Sequence, residues 1–124
     1  MFFRGSRGLL YVDRGDRNAY DFQLANITCD NNWHELDISA LIPNNAKMVR
    51  GYIEVRSSAA SGHVFGVDES GKSNHYTAYW LNQIVSDVWV QGGFELSVLS
   101  NKSIAYRGKN TITYFQLVIQ GWWV

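Results

Sequence analysis

Several kinds of residue and segment are scarce in this chain, and each scarcity excludes a class of protein. Cys29 is the only cysteine in 124 residues, so no disulfide can form within the chain and a disulfide-stapled secreted domain is excluded. No apolar run approaches the ~20 residues of a membrane-spanning helix, which predicts no membrane insertion. The apolar start is interrupted by Arg4 and Arg7, so we expect no secretion signal. Pro43, the only proline, predicts a turn.

Charge is also scarce, and its two signs balance. The chain has 11 Lys and Arg against 11 Asp and Glu, and charged residues make up 18% of it, below the usual ~25%. Balanced charge gives no case for a nucleic-acid partner. Aromatic residues are abundant at 15%. Few charges and many rings predict a surface that another subunit or a sugar covers.

Alternation of apolar and polar residues predicts strands, because successive side chains of a strand point to opposite faces. The strongest such segment is 111–124, which has no charged residue and ends in Trp-Trp-Val. Its alternation predicts that Phe115, Leu117 and Trp123 face one side and that Trp122 faces the other. Because exposed rings are costly in water, we expect this end to be buried in its own sheet or in a partner.

The spacing of all such segments predicts an all-β fold, a β-sandwich or barrel with about eight or nine short strands. We expect a single domain at residues 20–124. Residues 75–81 and 84–90 are predicted strands, and residues 91–93 a turn. The last three segments of the chain are predicted to form an antiparallel meander.

Residues 1–19 differ from the rest and are predicted to form an N-terminal arm, with one short strand at residues 9–12. Two interpretations stay open: a solvated, partly disordered terminus, or an arm that docks on a neighbouring subunit. The arm carries four arginines: Arg4, Arg7, Arg14 and Arg17.

A pattern of strands and turns resembles the jelly-roll domains associated with bacteriophage virions and tails. Residues 33–49 read WHELDISALIPNNAKMV, similar to a tryptophan strand of those domains that turns at a proline and enters a strand opening Ala-Lys-x-Val. The entry at residues 20–22 and the ending at residues 121–124 also resemble them. The resemblance implies an antiparallel β-sandwich, jelly-roll-like, among the two folds left open by the spacing. It also implies a virion location, in a tail, fibre or capsid-surface protein, and an assembly that is often trimeric.

Catalytic and metal-binding constellations are weak. His63 and His75, with Asp68 and Glu69 between them, flank one predicted turn and offer ligand types that zinc accepts. The chain lacks the His-x-His of cupin-type metal enzymes, so the alternative is a polar hairpin. Cys29 has no cationic neighbour in the sequence that would activate a thiol. We therefore expect no metal, no cofactor and no catalytic residues.

Aromatic residues are the remaining candidates, because tyrosine and tryptophan combine a flat apolar face with a polar group. Such surfaces suit sugar stacking and subunit interfaces alike. The predicted glycan-binding residues are Asn74, Tyr76, Tyr79, Trp80, Asn82 and Trp89, with Asp87 beside them. The predicted interface residues are Arg4, Arg7, Trp122 and Trp123.

Three functions follow, in order of preference. The first is a non-enzymatic structural or attachment module of a virion, acting through homo-oligomeric assembly, with a trimer favoured and other virion proteins as partners. The second is a carbohydrate-binding module for glycans of a host surface, which is compatible with the first. The third is a cupin-like metal enzyme that uses His63 and His75.

Overall fold

The computed structural model describes residues 8–60 and 62–124, and these residues form a β-sandwich, so the predicted all-β fold is confirmed. One short 3-10 turn, Leu24–Asn26, interrupts the extended structure. No helix in these two ranges is long and apolar enough to cross a membrane. The nine strands are β1 Tyr11–Asp13, β2 Phe22–Gln23, β3 Trp33–Asp37, β4 Met48–Ser57, β5 Gly62–Glu69, β6 Tyr79–Gln83, β7 Trp89–Ser97, β8 Ser103–Gly108 and β9 Ile112–Trp123.

Two antiparallel sheets make up the sandwich. The five-stranded sheet has the order β1-β9-β4-β7, with β2 also paired to β9, and the four-stranded sheet has the order β3-β8-β5-β6. From β2 onward every connection crosses between the sheets except the one from β5 to β6. This strand order is that of a jelly roll. The predicted meander of the last three strands is wrong, because β7, β8 and β9 pair with strands from earlier in the chain.

The core lies between the sheets and is made by the inward residues of the alternating strands. Val49, Ile53 and Val55 of β4 are almost fully buried, as are Leu117 and Ile119 of β9. Full burial of one such aliphatic side chain contributes roughly 1.5–3 kcal/mol, so these two central strands anchor the sandwich.

Glycines inside the strands leave room for neighbouring side chains. A Cβ on Gly51 would lie 2.3 Å from Cζ of Phe94, its partner on the adjacent strand of the same sheet. A Cβ on Gly92 would lie 2.8 Å from Cδ2 of Leu81, which belongs to the other sheet. The predicted turn at residues 91–93 is therefore wrong. Strand β7 runs straight through Gly92 and Gly93, and Gly92 allows close packing of the two sheets.

The predicted strands on either side of β6 are also corrected. Residues 84–88 form a loop, and strand β7 begins only at Trp89. The strand predicted from residue 75 begins at Tyr79 instead. Residues before it fold over the sheet, where His75 contacts Asp68 and Trp33.

A β-bulge in β9 reverses the predicted orientation of the last two tryptophans. Arg50 pairs with Gly121 while Gly51 pairs with Ile119, so Gln120 is an extra residue and the alternation changes phase after it. As a result Trp122 packs against the core. Trp123 lies 4.7 Å from the ring of Tyr11, measured between ring centroids.

The N-terminal segment, from residue 8 onward, adds to the sheet of its own chain. Strand β1 pairs with the end of β9, which places Tyr11 opposite Trp123, and the strand predicted at residues 9–12 is observed at residues 11–13. The rings at the end of the chain are half-buried by these contacts. Arg4 and Arg7 lie outside the described residues, so their interface role stays a prediction.

Residues 14–21 form a loop between β1 and β2 that an ion pair closes. Arg14 Nη2 donates to Asp21 Oδ1 at 2.9 Å, and Arg14 Nη1 donates to the carbonyl of Ile119 at 3.0 Å. The N–H of Ile119 donates to Asp21 Oδ2 at 2.8 Å. The two charged side chains are only 10% and 6% exposed. We call this arrangement the Asp21 clamp.

Candidate functional site

The outer face of the four-stranded sheet carries one row of residues with unusual chemistry. Strand register aligns Trp33 of β3, Arg107 of β8, Gly66 of β5 and Trp80 of β6 across the sheet. The missing side chain of Gly66 makes room for the indole of Trp80, since a Cβ there would lie 2.7 Å from the ring. The row is therefore two tryptophans on the two edge strands, with an arginine between them.

Two histidines extend this row into a line of four rings, which we call the aromatic row: His63, Trp80, Trp33 and His75. His63 stacks on Trp80 with ring centroids 4.7 Å apart and an interplanar angle of 10°. Trp80 meets Trp33 edge-on at 5.7 Å, and Trp33 stacks on His75 at 3.9 Å. Such pairs contribute roughly 0.5–1.5 kcal/mol each beyond simple burial, so the rings hold one another in place.

A groove lies at the His63 end of the aromatic row. It has a volume of about 310 Å³ and is lined by His63, Val64, Trp80, Arg107 and Lys109. That volume is at the lower end of small-molecule sites, roughly 300–1,000 Å³. The groove combines two ring faces with two cationic side chains, and its described lining contains no carboxylate.

Hydrogen bonds to backbone groups hold the side chain of Arg107 and the main chain at Lys109. The Nε of Arg107 donates to the carbonyl of Asn31 at 2.8 Å, which orients the guanidinium group. The backbone N–H of Lys109 donates to the carbonyl of Val64 at 3.0 Å, where the chain leaves β8. Neither cation forms an ion pair with a carboxylate of residues 8–60 or 62–124.

The other end of the aromatic row is held by a buried carboxylate, in what we call the Asp68 clamp. Asp68 is 1% exposed, and its Oδ2 lies 2.9 Å from His75 Nδ1. Its Oδ1 accepts from Lys72 Nζ at 3.2 Å and from the N–H of Glu69 at 2.7 Å. Burial alone would raise the pKa of Asp68, but the hydrogen bonds from Glu69, His75 and Lys72 outweigh burial and hold that pKa below its ordinary value.

The clamp places the β5–β6 loop over the sheet and positions His75 against Trp33. Both carboxylate oxygens of Asp68 are occupied by these contacts, so the Asp68–His75 pair has a structural task. His63 and His75 sit at opposite ends of the aromatic row. In the part of the chain that the structure describes, no three His, Cys, Asp or Glu side chains are close enough to hold a metal ion.

The single cysteine packs against the core at the end of strand β8. Cys29 Sγ contacts Gly108, where a Cβ would lie 2.6 Å away. Burial, with the nearby charge of Asp30, raises the pKa of the Cys29 thiol to about 11. The protonated thiol is a weak nucleophile, so Cys29 serves packing.

The outer face of the five-stranded sheet carries a second aromatic row. Register places Arg56 between Trp89 and Tyr114, whose ring centroids lie 5.6 Å apart. The guanidinium carbon of Arg56 is 5.7 Å from the centroid of the Tyr114 ring. On the same face the hydroxyl of Tyr20 donates to Glu54. On this face, therefore, Arg56 contacts a ring and Glu54 accepts a hydrogen bond from a tyrosine.

Exposed apolar side chains gather beside this second row, at the end of the sandwich formed by the β6–β7 loop. Ile84 is 86% exposed and Val85 is 57% exposed. Contiguous exposed apolar surface of this kind marks interaction sites in soluble proteins. We call this surface the apolar end: Ile84, Val85, Val88, Trp89 and Tyr114.

The structure brings together only part of the predicted glycan-binding set. Trp80 lines the groove, and Asn82 lies on the same strand opposite His63. Tyr79 lies at the opening between the two sheets, and Trp89 belongs to the other sheet. The remaining three are exposed in loops: Asn74, Tyr76 and Asp87.

Four groove and row residues were missed as binding residues by sequence reasoning, because strand pairing alone brings them together: Trp33, His63, Arg107 and Lys109. Trp33 entered the sequence analysis only through the resemblance at residues 33–49, and His63 only as a weak metal candidate. The signal available in the sequence was a pair of basic residues, Arg107 and Lys109, at the end of a buried strand with no acidic residue beside them.

Comparison with known proteins adds no functional information. Neither a scan against protein-family models nor a search of curated proteins finds a match to this chain. The function is therefore argued from the groove and the apolar end.

Proposed function

We propose that the chain is a non-enzymatic attachment module that binds carbohydrate in the groove on the outer face of its four-stranded sheet. The observation that carries the proposal is that the rings of Trp80 and His63 meet the cations of Arg107 and Lys109 in one groove. Sugars bind where a ring offers an apolar face and nearby side chains offer polar groups. Asn82, opposite His63, supplies a further polar group at this face.

The proposal that the module catalyses no reaction has its own support. Hydrolysis of a glycosidic bond ordinarily needs two facing carboxyl groups, and the described lining of the groove contains none. The nearest buried acid and base, Asp68 and His75, are bound to each other. The groove therefore has the groups for holding a sugar and lacks those for cleaving one.

A pair of tryptophan substitutions on opposite sheets tests the binding site. The wild-type chain is screened on a glycan array, and the strongest glycan is titrated calorimetrically against Trp80→Ala and Trp89→Ala. We expect Trp80→Ala to weaken binding by about tenfold or more, the typical effect of losing one stacking ring. Trp89→Ala should bind as the wild type does, and circular dichroism confirms that both variants are folded. A folded wild-type protein that binds no glycan, or a Trp80→Ala variant of full affinity, would refute the proposal.

We also propose that copies of this chain assemble into a homo-oligomer, with a trimer favoured, on a virion tail, fibre or capsid surface. The resemblance at residues 33–49 supports the virion setting. The apolar end supports assembly, because Ile84 and Val85 are exposed in the single chain and burying such a side chain contributes roughly 1.5–3 kcal/mol. This proposal concerns a different surface from the groove, so the two are compatible.

Light scattering after size-exclusion chromatography tests assembly. We expect the wild type to have the mass of a trimer and Ile84→Asp to shift it towards the monomer. Leu99→Asp is the matched control, since Leu99 is 54% exposed and follows β7 at the opposite end of that strand from Trp89. A wild-type protein that stays monomeric at high concentration would refute assembly through this surface.

A further inference from the structure

We infer that the groove is selective for a sugar residue that carries a carboxylate, and that Arg107 and Lys109 are the groups that bind the acid. This inference rests on the proposed function and adds the chemical class of the ligand to it. The observations that carry it are the unpaired charges of the groove, the orientation of the arginine, and the arrangement of rings beside them.

The groove gathers two cationic side chains that have no carboxylate partner among the described residues. Arg14 pairs with Asp21, and Lys72 pairs with Asp68 and Glu69. Arg107 and Lys109 line one groove, and no carboxylate of residues 8–60 or 62–124 lies within ion-pair distance of either. Two like charges close together repel each other, and an anion bound between them removes that repulsion.

The arginine is already oriented for a carboxylate. Its Nε is used by the carbonyl of Asn31, which leaves the two terminal nitrogens as donors. A guanidinium group binds a carboxylate through two parallel hydrogen bonds, with a planar geometry that an ammonium group lacks. Lys109 adds a point charge in the same groove, and the stacked rings of Trp80 and His63 supply apolar lining for the rest of the sugar.

A sugar acid fits these observations better than a nucleic acid. Single-stranded nucleic acids bind along a positively charged groove that follows several phosphates. This groove has two cations in a volume of about 310 Å³, and the whole chain has a formal net charge of zero. The surface therefore suits one acidic residue on an otherwise neutral ligand.

The test uses two pairs of ligands, each of which sets an acid against a neutral counterpart: sialyllactose against lactose, and cellobiouronic acid against cellobiose. Each is titrated calorimetrically against the full wild-type chain. We expect the acidic member of at least one pair to bind about tenfold to a hundredfold more tightly, the usual effect of a charged hydrogen-bonded pair. Equal binding within both pairs would overturn the inference and leave carbohydrate binding intact, whereas no binding of any carbohydrate, on the array or here, would overturn the proposed function itself.

Variants that each remove one positive charge test which groove residues bind the carboxylate of the sugar. Arg107→Gln and Lys109→Gln should each remove most of the preference for the acidic ligand and keep the affinity for the neutral one. Arg50→Gln is the matched control, because Arg50 is an exposed arginine on the other sheet, and it should keep the full preference. A preference that survives both groove variants would overturn the assignment, and so would displacement of the acidic sugar by an equal concentration of a short single-stranded oligonucleotide.

Discussion

Each sheet of the sandwich has a neighbouring segment that a nearly buried carboxylate holds in place, and the two clamps differ in their partners. The Asp21 clamp on the five-stranded sheet uses an arginine that is itself only 10% exposed. The Asp68 clamp on the four-stranded sheet uses a histidine and a lysine whose side chain is 35% exposed. Two guanidinium nitrogens of Arg14 contact the two carboxylate oxygens of Asp21. His75 and Lys72 each contact a single oxygen of Asp68.

The difference shows what each clamp is for. Arg14 and Asp21 form hydrogen bonds with the carbonyl and the N–H of Ile119, so the Asp21 clamp holds strand β9 in place. The Asp68 clamp places His75 against Trp33, so it fixes one end of the aromatic row and leaves the cations at the other end unpaired. The charges of the Asp21 clamp are satisfied by each other and by the backbone of Ile119. Arg107 and Lys109 have no carboxylate partner among the described residues. The following predictions test this contrast, from the largest expected effect to the smallest.

Arg14→Ala should have the largest effect, because it leaves the carboxylate of Asp21 buried without its partner. Removing one member of a buried ion pair costs about 3–5 kcal/mol of the free energy of unfolding, which urea unfolding at neutral pH measures. Arg17→Ala, an exposed arginine of the same loop, is the control and should cost less than about 0.5 kcal/mol. A loss of the same size in both variants would mean that the ion pair does not fix the strand.

Asp68→Asn should cost somewhat less, about 2–3 kcal/mol, since the amide keeps the shape and loses the charge that Lys72 and His75 contact. The same urea experiment measures it. Asp30→Asn is the matched control, because Asp30 pairs with His34 at the surface, and its unfolding midpoint should stay that of the wild type. Equal midpoints for Asp68→Asn and Asp30→Asn would refute a structural role for the Asp68 clamp.

Gly66→Ala should disturb the groove through Trp80. A Cβ at position 66 would lie 2.7 Å from the indole ring, so the ring must move, at a cost of about 1–2 kcal/mol for overpacking. Gly93→Ala, on the outer face of the other sheet, meets only an ordinary contact at 3.5 Å. Tryptophan fluorescence and glycan titration should change in the first variant alone, and a change of the same size in both would show that Gly66 has no special relation to Trp80.

The pH dependence of the Asp68 clamp gives the smallest effect. Because the folded-state pKa of Asp68 is lowered, its contribution is complete above the unfolded value of about 3.9 and is lost as pH falls through the folded value. The difference in unfolding free energy between wild type and Asp68→Asn should therefore be constant from about pH 7 to 5. Below about pH 4 it should shrink. Urea unfolding at several pH values measures it, and a difference that grows in acid would contradict the sign.

The sequence was enough to predict strands, since alternation reports burial directly. Val49, Ile53 and Val55 alternate with polar residues in β4 and are buried, as such alternation predicts. Alternation does not show which strands pair with each other, so the predicted meander of the last three strands was wrong. It also fails at an insertion: Gln120 shifts the phase of β9, and the orientations of Trp122 and Trp123 are reversed.

The groove was less predictable than the fold. Its residues come from β5, β6 and the end of β8, and only pairing of those strands brings Trp80, His63 and Arg107 together. Glycine was misleading for the same reason. Gly92 was predicted to lie in a turn, but it lies in a strand where the side chain of Leu81 occupies the place of a Cβ.

The ion pair between β1 and β2 has a consequence for how copies of the protein meet. Strand β9 pairs with β1 near its end and with β2 in its middle, and between those two short pairings the N–H and carbonyl of Ile119 would face water. Arg14 and Asp21 form hydrogen bonds with both groups, so two side chains take the place of the backbone partners that a continuous strand would supply. The border of the sheet there presents no free backbone to an incoming chain, which guards against fibre-like stacking.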